Sequence, residues 1–327
     1  MQNRNCIIFG ATGQDGSLLC KSLIKQGYKV FGISRRNIES CPNHIKLGIS
    51  KNVNFYPINI SNISEIEELI KNINPIEIYN LSAQSSVGKS FSNPKDTFES
   101  IVTLTLNLLE ASKSLNYQGR ILFAGSSEMY GDHSSRINIE SDKKPINPYG
   151  IAKLCSYNLV KMYREINNIR CATAILFNHE SQFRHKDFVT HKVIEAAIKC
   201  NKDPRLKIKL GNLNIFRDWG WAEEYIEVIK MIANAKIPND YLICTGKGYS
   251  LKTIAQKTFE RLVANFTDLA LVVGKFVADT LEPFAAFLDK NLGNRLILLG
   301  GIATIVFQRF GQAIGGFAVT AVGALGT

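Results

Sequence analysis

Through its first 180 residues the chain alternates apolar runs of strand length with helical stretches. The runs are Cys6 to Phe9, Lys29 to Ile33, Val53 to Ile58, Ile76 to Leu81, Arg120 to Ala124 and Arg170 to Phe177. An amphipathic stretch reaching Lys25 follows the first of them, and similar helical patterns separate the others. Such alternation predicts an α/β chain, a doubly wound parallel sheet with helices on both faces and ligands at the carboxyl ends of the strands. Asn80-Leu81-Ser82-Ala83-Gln84, Gly125-Ser126-Ser127-Glu128 and Asn178-His179-Glu180-Ser181 stand at three of those ends. Their small and polar side chains suit ligand contacts as well as ordinary turns.

The first run passes directly into Gly10-Ala11-Thr12-Gly13-Gln14-Asp15-Gly16 and then into the amphipathic stretch. In a strand, glycine turn and helix of this kind, Gly10 and Gly13 let the backbone approach a pyrophosphate, and Gly16 lets helix and strand pack closely. The helix start offers unpaired N–H groups and a positive dipole end. A Rossmann-like dinucleotide site is expected here. After the second run comes Ser34-Arg35-Arg36, where an NAD site would carry a carboxylate for the ribose hydroxyls. Two guanidiniums suit a 2′-phosphate, so the expected cofactor is NADP; the alternative is a solvated pair of loop charges.

Tyr149 and Lys153 stand four residues apart in Pro148-Tyr149-Gly150-Ile151-Ala152-Lys153. On a helix they share a face, where an ammonium can favour the phenolate and make tyrosine a usable base. Taken alone, such a spacing is common on surface helices. Upstream, Ser126 offers a hydroxyl, and Glu128 a carboxylate able to take a carbon-bound proton once a neighbouring ketone has acidified it. The set points to redox chemistry on a sugar hydroxyl followed by elimination.

Composition narrows the partners. The 327 residues carry a net charge of +11, with basic side chains spread along the chain and no dense basic run. An acidic small substrate, such as a nucleotide phosphate, fits better than nucleic acid. Seven cysteines occur singly and five histidines show no ligand spacing, so reduced thiols and no metal are expected. Met1 leads into the first strand without an apolar signal region, which predicts a cytoplasmic catalytic part.

Five segments carry a resemblance. Gly10 through Ser17, Glu77 through Ser85, Ser126 through Gly131, Leu176 through Ser181, and Leu210-Gly211-Asn212-Leu213 with Arg217-Asp218-Trp219-Gly220 occur in this order. Together they resemble the GDP-mannose 4,6-dehydratase family of the extended short-chain dehydrogenase/reductases, over about residues 5–260. The resemblance implies that residues 1–180 form the dinucleotide-binding domain with the catalytic residues. Residues 181–260 would then form a smaller nucleotide-sugar lobe, interleaved with the first domain and incomplete. It further implies Ser126, Glu128, Tyr149 and Lys153 as catalytic. Gly10, Thr12, Gly13, Gln14, Asp15, Gly16, Arg35, Arg36, Asn59, Ile60, Leu81 and Ala83, with Tyr149 and Lys153, would hold NADP. Ser85, Asn178, Lys192 and Arg217 would contact the GDP-sugar. The implied reaction is dehydration of GDP-mannose to GDP-4-keto-6-deoxy-mannose, in a homodimer or homotetramer.

Several positions depart from the family pattern. Ser126 replaces a threonine and keeps its hydroxyl, and Asn59 replaces an aspartate near the adenine. Trp221 replaces a histidine or tyrosine. Gln182-Phe183-Arg184-His185-Lys186-Asp187 replaces a Pro-Arg-Arg-Gly loop over the sugar, which keeps a GDP-heptose open as the alternative substrate. From Arg261 to Thr327 only 9 of 67 residues are charged and 9 are glycine. Arg309 divides Leu296–Thr327 into apolar pieces of 13 and 18 residues, short or glycine-rich against the roughly 20 apolar residues of a membrane span. The favoured reading of 261–327 is a helical tail packed on the body or on a partner subunit. Membrane contact and a fused or frameshifted segment are the alternatives. Loss of the family's usual C-terminal part also leaves open a catalytically impaired chain that binds cofactor as a scaffold.

Overall fold

The computed structural model describes residues 4–34, 41–133, 136–203, 205 and 211–261. Arg35, Arg36 and the apolar tail from residue 262 onward lie outside the described residues. Contacts divide the chain into two compact units, Met1–Phe188 with Ile215–Ser250, and Val189–Asn214 with Leu251–Thr327.

In the first unit the strands are β1 (Asn5–Phe9), β2 (Lys29–Ile33), β3 (Val53–Tyr56), β4 (Glu77–Asn80), β5 (Arg120–Ser126) and β6 (Cys171–Leu176). They are followed by β7 (Asn178–Glu180), β8 (Phe216–Trp221), β9 (Asp240–Ile243) and β10 (Gly248–Ser250). Seven of them form one parallel sheet in the order β3-β2-β1-β4-β5-β6-β9. The fold is thus α/β and Rossmann-like, with the strand order reversing between β1 and β4, where such sheets open a crevice at their carboxyl ends.

Residues alternate between the two faces of the sheet, and both faces are covered. Cys6, Ile8, Val30, Tyr79, Leu122 and Ala174 pack with Leu19 and Leu23 of helix Gln14–Lys25 and with Ile226 and Ile229 of helix Ala222–Ala233. Ile7, Phe9, Phe31, Ile78, Ile121 and Phe123 face the other way. They meet Ile66 and Ile70 of helix Ile63–Ile73, Leu104 and Leu108 of helix Leu104–Ser114, and Ala152 and Val160 of helix Pro148–Asn167.

The chain returns to the large sheet after residue 215 to add β9 at its edge. Arg164 of helix Pro148–Asn167 fastens that strand, its two terminal nitrogens donating to the Asp240 carboxylate at 2.9 and 2.6 Å. Beyond β6 the short β7 pairs in parallel with β8, which pairs antiparallel with β10. In the second unit, helix Val189–Lys202 and helical residues 251–261 are described, and Lys252 N donates to Leu213 O.

Candidate active site

At the carboxyl end of β1, Gly10 has φ +81°, and a Cβ there would lie 2.9 Å from the backbone of Leu81 and Ser82 at the end of β4. A Cβ on Gly16 would come within 2.2 Å of the Gly10 carbonyl oxygen, so helix and turn meet backbone to backbone. Gly13 is the N-cap of helix Gln14–Lys25 and supplies no side-chain cap. The result is a cradle of bare backbone at a helix start, which suits a pyrophosphate. Thr12 Oγ1 lies 2.9 Å from Ser34 Oγ at the end of β2. Asn59 and Ile60 lie in the loop after β3, where Asn59 Oδ1 accepts from Ser61 N at 3.1 Å. Leu81 and Ala83 follow β4, Leu81 N donating to Phe9 O at 3.0 Å.

Asp15 stands in the first helical turn, a position its charge favours through the helix dipole. Beside a pyrophosphate a bare carboxylate would be repulsive, but His179 Nε2 lies 3.0 Å from both of its oxygens. His179 Nδ1 donates to Phe177 O at 2.7 Å, so both ring nitrogens face acceptors and the imidazolium form is favoured. Burial opposes charge on both groups. Their mutual attraction and hydrogen bonding prevail, holding His179 above its usual value and Asp15 at about 2. The His179 ring stacks on Tyr225 at 4.5 Å between centroids. Gln14 completes the join, donating to His179 O at 3.2 Å and accepting from Ser181 Oγ at 2.9 Å.

The catalytic candidates gather where β5 ends. Ser126 is the last residue of β5, and its Oγ accepts from Glu128 N at 3.2 Å within the 3₁₀ turn Ser127–Tyr130. Tyr149, on helix Pro148–Asn167, stands near enough to Ser126 for that hydroxyl to favour its phenolate. The Glu128 carboxylate faces Asn147 through Oε2 and Arg217 of β8 through Oε1, at 2.8 and 3.7 Å. Ser126, Glu128, Tyr149 and Arg217 therefore share one neighbourhood of the first unit.

Lys153 lies on the same helix face as Tyr149, its Nζ 5.8 Å from the Tyr149 ring centroid. That nitrogen donates to Ala124 O at 2.6 Å and stands over Phe123. The lowered phenol expected from an ammonium neighbour is corrected here. Burial pushes Tyr149 up to about 12; the Ser126 hydroxyl opposes the rise and the Glu128 charge adds to it. Burial also pulls Lys153 down to about 7, with the Asp15 charge opposing.

Of the other expected contact residues, Asn178 begins β7 and Ser85 is exposed before helix Val87–Ser92. Lys192 is exposed on helix Val189–Lys202 of the second unit. Sequence reading passed over Asn147 and the Asp15–His179 pairing. His179 was visible as part of the Asn-His-Glu-Ser segment, whereas Asn147 carried only the signal of an N-cap residue before proline. Among the described residues no cluster of His, Cys, Asp and Glu could hold a metal ion, and no helix is long and apolar enough to cross a membrane.

A glycine turn at the reversal of a parallel sheet, with Ser, Tyr and Lys grouped beside it, defines an extended short-chain dehydrogenase/reductase. Solved structures of that class agree in fold. A double mutant of DesIV (dTDP-glucose 4,6-dehydratase) from Streptomyces venezuelae superposes with TM-score 0.70 at 16% identity, covering 79% of this chain and 80% of that one. UDP-glucose 4-epimerase of Thermotoga maritima superposes with TM-score 0.69 at 20% identity, covering 78% and 82%. The chain belongs to the GDP-mannose 4,6-dehydratase family, whose model matches residues 7–278. GDP-mannose 4,6 dehydratase 2 of Caenorhabditis elegans is 36% identical over 272 residues, 80% of this chain and 71% of that protein. The human GDP-mannose 4,6 dehydratase is 35% identical over 263 residues, 77% and 71% of the two.

Proposed function

We propose that this chain is a hydro-lyase that converts GDP-mannose to GDP-4-keto-6-deoxy-mannose with NADP, acting as a homo-oligomer. The observation that carries the reading is the grouping of Ser126, Tyr149 and the Glu128 carboxylate at the end of β5, beside a backbone cradle suited to a dinucleotide. NADP, when bound, accepts the hydride from C4 of the hexose and returns it to C6. As the phenolate that a charged Lys153 would favour, Tyr149 would take the proton of the 4-hydroxyl, and Ser126 would hydrogen-bond the oxygen as it becomes a carbonyl. Lys153, lowered to about 7 in the buried site, orients its neighbours by hydrogen bonding and would be fully charged beside a phenolate.

The 4-ketone acidifies C5. Glu128 removes the C5 proton and gives it to the departing 6-hydroxyl, so the C6–O bond breaks and water leaves. A proton, balancing the one Tyr149 took from the 4-hydroxyl, returns to C5 as the hydride is restored at C6, so no cofactor is consumed. Gly10, Gly13 and Gly16 with the helix start would hold the pyrophosphate, while Asp15–His179 keeps that helix start free of an unpaired anion. Arg35 and Arg36 would grip the 2′-phosphate, on sequence grounds alone. Arg217, Asn178, Ser85 and Lys192 would bind the nucleotide sugar.

Incubation of the full chain with NADP and GDP-mannose, with GDP-heptose in parallel, should yield a product lighter by one water on the preferred sugar, without net reduction of cofactor. Bound NADP with no product from either sugar overturns the reading in favour of a cofactor-binding scaffold. Arg35→Asp should weaken NADP and shift preference toward NAD, read from the two dissociation constants. An unchanged ratio removes Arg35 from the cofactor site.

A further inference from the structure

We propose that Asn147 is a positioning residue that aims the Glu128 carboxylate and locks it to the helix bearing Tyr149 and Lys153. The inference rests on the reading of Glu128 as the base at C5. Asn147 is 4% exposed and caps helix Pro148–Asn167, its Oδ1 accepting from Gly150 N at 2.8 Å. Its Nδ2, on the other arm of the same planar amide, donates to Glu128 Oε2 at 2.8 Å. Among the usual N-cap side chains, only Asn carries both a cap acceptor and a separate N–H donor; Ser and Thr have a single hydroxyl and ionised Asp has no donor. One side chain thus starts the helix of Tyr149 and fixes the rotation of Glu128.

The packing around this amide leaves little slack. A Cβ on Gly150 would lie 2.4 Å from Glu128 O, so the first helical turn sits directly on the turn that carries Glu128. Glu128 is held from two further sides: its N–H donates to Ser126 Oγ at 3.2 Å, and Arg217 faces Oε1 at 3.7 Å. Of these contacts, the Asn147 bond is short, half-buried and made from the N-cap of the catalytic helix itself. Oε2 is fixed by the amide, and Oε1, facing the more exposed guanidinium at longer range, is the oxygen left to meet a C–H. A misplacement of about 1 Å in such a base can cost on the order of 100-fold in rate.

Asn147→Ser and Asn147→Asp both retain a good helix cap, so both should fold, with melting temperatures close to the parent. In Asn147→Asp a second carboxylate meets Glu128. The acid limb of the kcat–pH profile should rise by about one pH unit, and reduced cofactor should accumulate during turnover because C4 oxidation continues while elimination lags. Asn147→Ser should slow elimination roughly 10- to 100-fold with a smaller move of the acid limb. Parent-like kcat and an unmoved limb in both variants, with Glu128→Gln still blocked at elimination, overturns the positioning role and leaves the base reading standing. Full turnover by Glu128→Gln removes the base itself. Loss of activity that tracks loss of melting temperature, with the limb unmoved, reduces Asn147 to a cap and also overturns the proposal.

Discussion

The Asp15–His179 pair beside the glycine turn and the Tyr149–Lys153 pair on the long helix are both withdrawn from water, yet only the first keeps its charges. Asp15 is held at about 2 and His179 is raised, because each charge meets the other at 3.0 Å. Burial pushes Tyr149 up to about 12 and Lys153 down to about 7, and the Lys153 nitrogen meets a carbonyl at 2.6 Å where Asp15 and His179 meet an opposite charge. A carbonyl accepts a hydrogen bond without repaying the cost of desolvating an ammonium. The interior thus preserves charge where partners are built in, next to the cradle. Of the reacting pair it leaves only Lys153 titrating near ordinary pH, where proton exchange is easiest.

Breaking the first pair should have the largest effect on stability. His179→Phe keeps a ring against Tyr225 but strands the Asp15 carboxylate. Removing one partner of a fully buried pair costs about 3–5 kcal/mol. Because the Asp15 side chain keeps 22% of its exposure, a loss near the lower end is expected. The pH dependence tests the cause. With Asp15 lowered from 3.8 to about 2, its contribution is present above pH 3.8 and lost as pH falls toward 2. With His179 raised above 6.5, its contribution is full below 6.5 and lost as pH rises through the raised value. Denaturant unfolding of parent and variant should therefore differ most between about pH 4 and 6.5. A pH-independent difference would assign the loss to packing.

The second pair should respond in the opposite sense. In Lys153→Met a buried amine gives way to a thioether of similar length, and at neutral pH the folded state no longer carries the cost of keeping that amine from its charge. Stability should be equal to the parent or higher, while turnover falls by about 100-fold or more as the helix loses its hydrogen-bonding amine. Because the folded lysine titrates near 7 and an unfolded one near 10.5, the parent gains stability relative to the variant as pH rises from 7 toward 10. Marked destabilisation by Lys153→Met at pH 7 would show that the ammonium is paired and stabilising.

The strands, the glycine turn and the Tyr-Lys spacing were legible because each is written in local periodicity. β1 through β6 fall on the apolar runs, and Tyr149 and Lys153 share a helix face because they stand four apart. What could not be read is what depends on burial and distant pairing. Asp15 meets His179 across 164 residues and Asn147 meets Glu128 across 19, and neither separation has a local signature. β9 returns to the edge of the large sheet from the stretch assigned to the smaller lobe, and a four-residue edge strand with exposed Tyr241 shows no clear alternation. The reversal of the Tyr149–Lys153 electrostatics has the same origin. Spacing places the ammonium near the phenol, but only the packed interior decides that desolvation exceeds their attraction.

The smallest expected effect separates charge from stacking in the first pair. The Tyr225 ring covers His179 at 4.5 Å with planes 23° apart, and its buried hydroxyl has no hydrogen-bond partner among the described residues. A buried hydroxyl without a partner costs about 1–3 kcal/mol relative to one that is satisfied. Tyr225→Phe keeps the ring and removes that cost, so stability should rise by up to about 1 kcal/mol, with the same increment at pH 5 and pH 8. His179→Phe with Tyr225→Phe should then add as independent changes, within about 0.5 kcal/mol, if the stack serves only as packing. A larger coupling, confined to the pH range where His179 is charged, would mean that the electron-rich face of Tyr225 helps to hold the imidazolium. In that event the preserved charge at the cradle would have two partners, Asp15 at its edge and Tyr225 on its face, where Lys153 has a carbonyl.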